Sequence, residues 1–221
     1  MIRPFGESAL LVEVGSPHVA QRLAGSLDAT PVAGIAGVVP GLASVLVELD
    51  SLAAEAGAIA TALRERLVGV PDRPLEGRLR TIPVVYGGRH GPDLADLARL
   101  SGVTEAEVVE LHASTELRVL FLGFAPGFAY LGELPEQLRA PRLATPRSTT
   151  PSGSVGIAGS MSGIYPAALP GGWRVIGRTP VTLFDAHRHP PAYFAPGDRV
   201  RFEPIRVSGW EARSGPPPDW A

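Results

Sequence analysis

From Glu116 to its end this chain offers no helical pattern. Its apolar residues come in short runs at about 117–123, 154–158, 173–178, 181–184 and 199–205, separated by glycine and proline. Proline fixes φ and removes a ladder donor, and glycine supplies turn conformations that other residues avoid. A chain interrupted this often closes short strands on one another. The spacing predicts an all-β barrel. With 26 glycines and 23 prolines in 221 residues, such interruption governs most of the fold.

Upstream, the pattern changes. Residues 8–14 alternate as a strand. "SPHVAQRLAGSL" reads as a helix with Ser16 at its N-cap, Pro17 in its first turn, and Val19, Leu23 and Leu27 on one face. Strands near Ile35–Val39 and Ser44–Leu49 flank the turn Pro40-Gly41. Asp50 or Ser51 is the expected cap of a second helix, with Leu52, Ala56, Ile59, Leu63 and Leu67 on its apolar stripe. The order β-α-β-β-α predicts a small α+β sandwich. "GVPDRPLEGR", 69–78, reads as a linker. The expected organisation is an N-terminal α+β domain with linker at 1–78, a β-barrel domain at 79–210, and a mobile tail at 211–221. Helices decorate the start of the barrel domain: "GPDLADLARLSG", then "TEAEVVELHAS", opened by a Thr104/Glu107 capping box. Val108, Leu111 and His112 fall on the inner side of the latter.

Composition narrows the function. A net charge of −2 gives no field for nucleic acid or anionic membrane. The uncharged stretch Ala29–Val47 is interrupted by Pro31, Pro40 and three glycines, so it reads as strands and not as a membrane span. There is no cysteine, hence no thiolate nucleophile. All the basic residues are arginine; without lysine there is neither a Walker A loop nor a Schiff base. The first residues show no signal-peptide pattern, and a cytoplasmic location is expected. H-E-x-x-H, G-x-S-x-G and G-x-G-x-x-G are all missing. His187 and His189 belong to a surface turn, and His18 and His90 signal no chemistry alone. His112 is expected to cap carbonyls or pack on the barrel. No metal site is expected, and no catalytic residue is assigned.

The informative region runs from Pro141 to Phe184. Ser148–Trp173 is free of charge and dense in Gly, Ser, Thr and Pro. Arg142 and Arg147 precede it; Arg174 and Arg178 follow it. Glycine-rich backbone bracketed by guanidinium suits a small anion. On the residues alone, tight barrel turns with arginines on the rim come first. Ahead of it, "GFAPGFAYLG" sets Phe124, Phe128 and Tyr130 on turn-prone backbone, as a cleft wall or a partner surface would.

"GFAPGFAYLG", "PRLATPR", "PSGSVGIAG", "GIYP", "PGGWRVIGRTP" and "PGDRVRF" occur in that order. Together with "FGESALLVEVG", "VVPGLASVLVELD" and "YGGRHGPDL" they resemble the family of KipI and the 5-oxoprolinase B subunit, also described as carboxyltransferase C/D or allophanate hydrolase subunit 1. The resemblance spans nearly the whole chain. It departs from the family pattern at Arg89, at Ser160-Met161-Ser162 and at "TTPSG". It implies a small α+β domain followed by a cyclophilin-like β-barrel. It further implies a component that helps bind and activate 5-oxo-L-proline for ATP-dependent opening to L-glutamate, inactive alone. The implied partners are the 5-oxoprolinase A subunit and a homologous-fold, KipA-like C subunit. ATP, with Mg2+, would be a cofactor of the assembled complex and not of this chain alone. Arg147 and Arg178 are then candidates for a carboxylate or phosphoryl group and Tyr165 for a hydrogen bond to substrate. Backbone N–H groups around Gly153, Gly156 and Gly159 are candidates for an oxyanion. Two other roles within the resemblance are a KipI-like inhibitor of a sensor histidine kinase and a carboxyltransfer component of a urea amidolyase-like system.

Overall fold

The computed structural model describes residues 1–50 and 55–220. The chain divides into two compact units, Met1–Glu76 and Gly77–Ala221.

The first unit contains β1 (Ile2–Pro4), β2 (Ala9–Glu13), α1 (Pro17–Ala29), β3 (Ile35–Pro40), β4 (Ser44–Leu49) and α2 (Ala56–Leu67). The four strands form one antiparallel sheet in the order β1-β2-β4-β3. Ser16 caps α1 by accepting from the Val19 N–H at 3.3 Å. Leu10 and Val12 of β2, Leu23 and Leu27 of α1, Val45 and Val47 of β4, and Ile59 and Leu63 of α2 share one core. Each such side chain contributes roughly 1.5–3 kcal/mol when fully buried. The sequence pattern omitted β1, a three-residue edge strand ending at Pro4, where a missing N–H is tolerated. Asp50 does not cap α2: its N–H donates to the Gly34 carbonyl, and Glu55 holds the N-cap position without a side-chain bond. Ser51 and Leu52 lie outside the described residues.

The second unit contains β5 (Leu79–Tyr86), α3 (Leu94–Ser101), α4 (Glu105–Ser114), β6 (Leu117–Leu122), β7 (Ala129–Gly132), β8 (Arg147–Thr150), β9 (Ser154–Ala158), β10 (Met161–Ile164), β11 (Leu169–Gly171), β12 (Arg174–Arg178) and β13 (Arg199–Pro204). Seven strands close a barrel in the order β10-β7-β6-β13-β5-β12-β9, and β8 and β11 form a separate two-stranded sheet. The expected α+β architecture with a β-barrel is what the chain forms. Ile82, Val84, Leu117, Val119, Leu131, Val155, Ile157, Ile176, Val200 and Phe202 belong to its main core. Pro83 sits where β5 has β13 alone as neighbour, because β12 pairs only with Val85 and Tyr86. The Thr104/Glu107 capping box is formed, and α4 buries Val108 and His112.

Two expectations fail here. Residues 181–184 are not a strand; they contribute only single bridges, Val181 to Gly215 and Phe184 to Ala192. The segment read as a mobile tail is packed. Trp220 is 4% exposed in the main core, its Nε1–H donates to the Pro190 carbonyl at 3.1 Å, and Asp219 accepts from Arg80 at 2.9 Å and from Tyr193 at 2.9 Å. A Pro-rich stretch looks loose in sequence because its anchors, Arg80 and Tyr193, lie far away in the chain.

Candidate functional site: two recesses on the barrel unit

The stretch "GFAPGFAYLG" is a hairpin connection: β6 ends at Leu122 and the chain returns as β7 from Ala129. Its turn needs glycine at Gly127, where φ is +81° and an added Cβ would stand 2.6 Å from the Phe184 side chain. Phe124 has φ +68°, the only positive value on a non-glycine residue among the described residues. For a bulky L-residue that conformation is strained. Phe124 is also 59% exposed. The turn therefore holds a large aromatic ring out from the surface on backbone that resists it.

Beneath that ring lies an aromatic cluster of Phe128, Tyr165 and Trp173, with Tyr130 and Met161 packed on it. Phe128 meets Tyr165 at 5.3 Å and Trp173 at 5.5 Å between centroids, both edge to face. Gly163 is small because the rings need its space: a Cβ there would lie 2.9 Å from Phe128 and 3.0 Å from Trp173. Phe124, Phe128, Tyr130, Tyr165 and Trp173 enclose a recess of about 70 Å³, with Arg142 and the Pro170–Gly172 backbone at its edge. Arg142 is exposed and makes no hydrogen bond or ion pair among the described residues. Burial pushes the Tyr130 hydroxyl pKa up, and Arg142 opposes that shift. Tyr165 moves the same way for the same first cause. At 1% exposure its ring is the floor of the recess.

The four arginines that bracket the charge-free segment have different fates. Arg147 donates to Asp93 Oδ1 at 2.6 Å, and Arg174 pairs with Asp96. Both acids stand at the start of α3, so these two cations tie the helix to β8 and to β12. Asp93 is committed further: its Oδ2 accepts from the Val175 N–H at 2.6 Å, and its own N–H donates to the Val175 carbonyl at 2.9 Å. The expected role of Arg147 as an anion ligand meets a guanidinium already held by a carboxylate. Arg142 faces the aromatic recess. Arg178 faces a second one, of about 470 Å³, lined by Arg89, His90, Arg178, Val207, Trp210 and Glu211.

The backbone N–H groups around Gly153–Gly159 are not free for an oxyanion. Gly153 N–H donates to the Tyr165 carbonyl, Ser154 N–H to Pro151 and Gly159 N–H to Ala140. Gly156 lies inside β9, between β10 and β12. Its missing side chain makes room for Trp173: a Cβ added at Gly156 would stand 3.0 Å from that of the tryptophan. These glycines serve aromatic packing and ladder geometry. Ser162 is likewise buried inside the barrel, away from both recesses, while Met161 rests on the aromatic cluster.

The model of the carboxyltransferase domain, subdomain C and D, matches residues 1–194. The chain belongs to that family. Its match to the 5-oxoprolinase B subunit of Escherichia coli O157:H7 is 58% identical over 129 residues, 58% of this chain and 59% of that protein, so it spans little more than half the length of that relative. The match to the 5-oxoprolinase B subunit of Bacillus subtilis (strain 168) is 34% identical and runs over 94% of this chain and 92% of that protein. Among solved structures, TTHA0988 shares 33% identity at a TM-score of 0.78, over 93% of this chain but 40% of its own.

Within this carboxyltransferase C/D chain, the residues named from sequence therefore divide. Phe124, Phe128, Tyr130 and Tyr165 come together in the aromatic recess, Arg178 lines the other, and Arg147 and the three glycines line neither. Trp173, Arg142 and Asp93 carried no assigned role from the sequence. A signal for Trp173 existed: Gly156 and Gly163 are small residues on neighbouring strands, and such a gap in a core has to be filled by a large ring from elsewhere.

Proposed function

We propose that this chain works as the B subunit of a 5-oxoprolinase, helping to bind 5-oxo-L-proline for its opening to L-glutamate. The observation that carries this reading is the 34% identity extending along 94% of the chain to the B. subtilis protein. The aromatic recess supports it chemically. A flat, five-membered lactam presents apolar ring atoms to aromatic walls, and its carboxylate suits the guanidinium of Arg142. Tyr130 supplies a hydroxyl that stays protonated and donates to the lactam oxygen or carboxylate.

The recess is incomplete on its own. Small-molecule pockets are typically about 300–1,000 Å³, and this one is about 70 Å³. In this reading the missing walls come from a C subunit docked over Phe124, and an A subunit completes the complex. The lactam carbonyl is a poor electrophile; phosphorylating its oxygen creates the leaving group that ring opening lacks. Magnesium-bound ATP does not fit the aromatic recess, whose lining has one cation and no carboxylate to ligate the metal. The nucleotide is accordingly assigned to the assembled complex, the isolated chain is inactive, and the cytoplasm is the compartment where such ATP-coupled work takes place.

Co-purification of this chain with its A and C partners, followed by assays of 5-oxoproline-dependent ATP hydrolysis and glutamate release, tests the reading. Turnover by the complex and none by the chain alone is expected. Arg142→Ala, at an exposed position, should raise KM for 5-oxoproline at least tenfold in an intact complex. A complex without 5-oxoproline-dependent turnover would overturn the assignment.

A further inference from the structure

We propose that the recess formed by Arg89, His90, Arg178 and Trp210 is a binding site for a phosphate-type oxyanion, borne by a small molecule. It goes beyond the lactam reading, because it shares no lining residue with the aromatic recess. The two lie at opposite ends of β12: Trp173 precedes its first residue and Arg178 is its last. At about 3.3 Å per residue that separation is roughly 15 Å.

The recess is built from rigid parts. The loop Gly87–Gly91 that carries Arg89 and His90 is pinned to β12. Gly87 N–H donates to the Ile176 carbonyl at 3.1 Å, and Gly91 approaches that carbonyl so closely that an added Cβ would overlap its oxygen. Arg178, two residues further along the strand, is fixed through its Nε, which donates to the Ser152 carbonyl at 2.7 Å. Its guanidinium also stacks 5.4 Å from the Trp210 ring centroid. Trp210 also meets His90, with ring centroids 5.1 Å apart. Arg89 spends only its Nε, donated to His90 Nε2 at 3.2 Å.

What remains open is a set of donors. Neither Arg89 nor Arg178 forms an ion pair among the described residues, and the terminal Nη groups of both make no hydrogen bond there. Arg80, Arg147, Arg174 and five other arginines among the described residues do pair with carboxylates. Two guanidinium forks on one recess exceed what a carboxylate, with one charge and two oxygens, uses. They match a phosphate dianion with three or four acceptor oxygens. His90 is held below the usual imidazole pKa by burial first and then by Arg89 and Arg178, so both cations reach this spot electrostatically. The volume of about 470 Å³ exceeds one phosphate, leaving space beside Val207 and Trp210 for the body of the ligand. Glu211, at the edge, is exposed and opposes an anion.

The test is calorimetric titration of inorganic phosphate into the purified full chain, in chloride buffer at constant ionic strength. Saturable binding is expected. Arg89→Ala, an exposed position whose loss leaves the fold intact, should weaken it at least tenfold, and Glu211→Gln should strengthen it several-fold. Arg142→Ala should leave it at the wild-type level. Absence of saturable phosphate binding, or binding unchanged by Arg89→Ala, would overturn the proposal. So would binding lost in Arg142→Ala, or an Arg89-dependent response to 5-oxo-L-proline or acetate in place of phosphate. Because this assay needs neither the A nor the C partner, its outcome is separate from that of the oxoprolinase assay.

Discussion

Tyr86 Oη and His112 Nδ1 lie 2.8 Å apart, and the opposite ring nitrogen of His112 lies 3.0 Å from Ser162 Oγ. Ser162 Oγ in turn donates to the Gly156 carbonyl at 3.2 Å. With the Ser162 proton directed there, one arrangement satisfies every group: Tyr86 O–H donates to Nδ1, and Nε2–H donates to Ser162. His112 is neutral in this arrangement. It also stacks on Phe202 at 4.3 Å. Tyr86, Ser162 and Phe202 stand on β5, β10 and β13, so His112 reaches across the interior of the barrel and joins α4 to it. Burial lowers its pKa to about 3.

That shift sets an acid limit on stability. The folded protein refuses a proton that the unfolded chain accepts below about pH 6.5. Stability is therefore fully present above that pH and is lost as pH falls toward 3, by about 1.4 kcal/mol per unit. Urea unfolding midpoints followed from pH 7 to pH 4 should show this slope. In His112→Leu the slope should flatten, with a cost at pH 7 of about 1–3 kcal/mol for the stranded Tyr86 hydroxyl. An unchanged acid limb in the variant would assign the slope to other groups.

Arg147 and Asp93 should behave as structural partners. Removing Asp93 takes its carboxylate from the Val175 N–H and leaves Arg147 with the Trp173 carbonyl at 3.4 Å, and Asp93→Ala should cost about 1–3 kcal/mol. A double-mutant cycle with Arg147→Ala should return a coupling of roughly 0.5–3 kcal/mol in thermal unfolding. Additive losses would show that the 2.6 Å contact contributes little.

Phe124 gives a comparison in which stability and assembly move apart. Phe124→Gly and Phe124→Ala lose the same ring, but only glycine adopts φ near +68° without strain. The glycine variant should be more stable than the alanine variant by about 1–2 kcal/mol. Both should weaken association with the C subunit proposed above as partner, read by size-exclusion chromatography of the pair. Full-strength association of either variant would move the interface off this turn.

Trp220→Ala should cost about 3–5 kcal/mol, because a fully seated ring is removed from the main core. Limited proteolysis of the wild type should correspondingly spare residues 217–220 and cut first within Gly69–Arg78. Early cleavage beside Trp220 would show that the C-terminal segment opens readily.

Much of the fold was legible because it was local. Ser16, Pro17 and the Thr104/Glu107 box mark helix starts within four residues of sequence, and β4, β5 and β9 are each dominated by apolar residues. Strands β7, β8, β10 and β11 were not legible. Each has three or four residues and includes Gly, Ser or Pro, and each exists because a neighbour offers a free edge. The site shows the same division. The aromatics of "GFAPGFAYLG" stood out by composition. The fate of Arg147 depended on Asp93, 54 positions away and outside the segment under suspicion.

The parallel pairing of β5 with β13 and its short antiparallel pairing with β12 have a consequence for synthesis. β5 leaves the ribosome early, yet its first neighbour begins about 95 residues later, at Arg174. At translation rates of about 5–20 residues per second it waits roughly 5–20 s with both edges bare. The first unit has no such delay, since its strands and helices are complete by Leu67. The nascent chain thus passes through a half-folded stage carrying the sticky strand "LRTIPVVY", interrupted by Pro83, preceded by Arg78 and carrying Arg80 at its second position. Proline and charge at those places are what keep a bare strand from joining its counterpart on the next polysome chain.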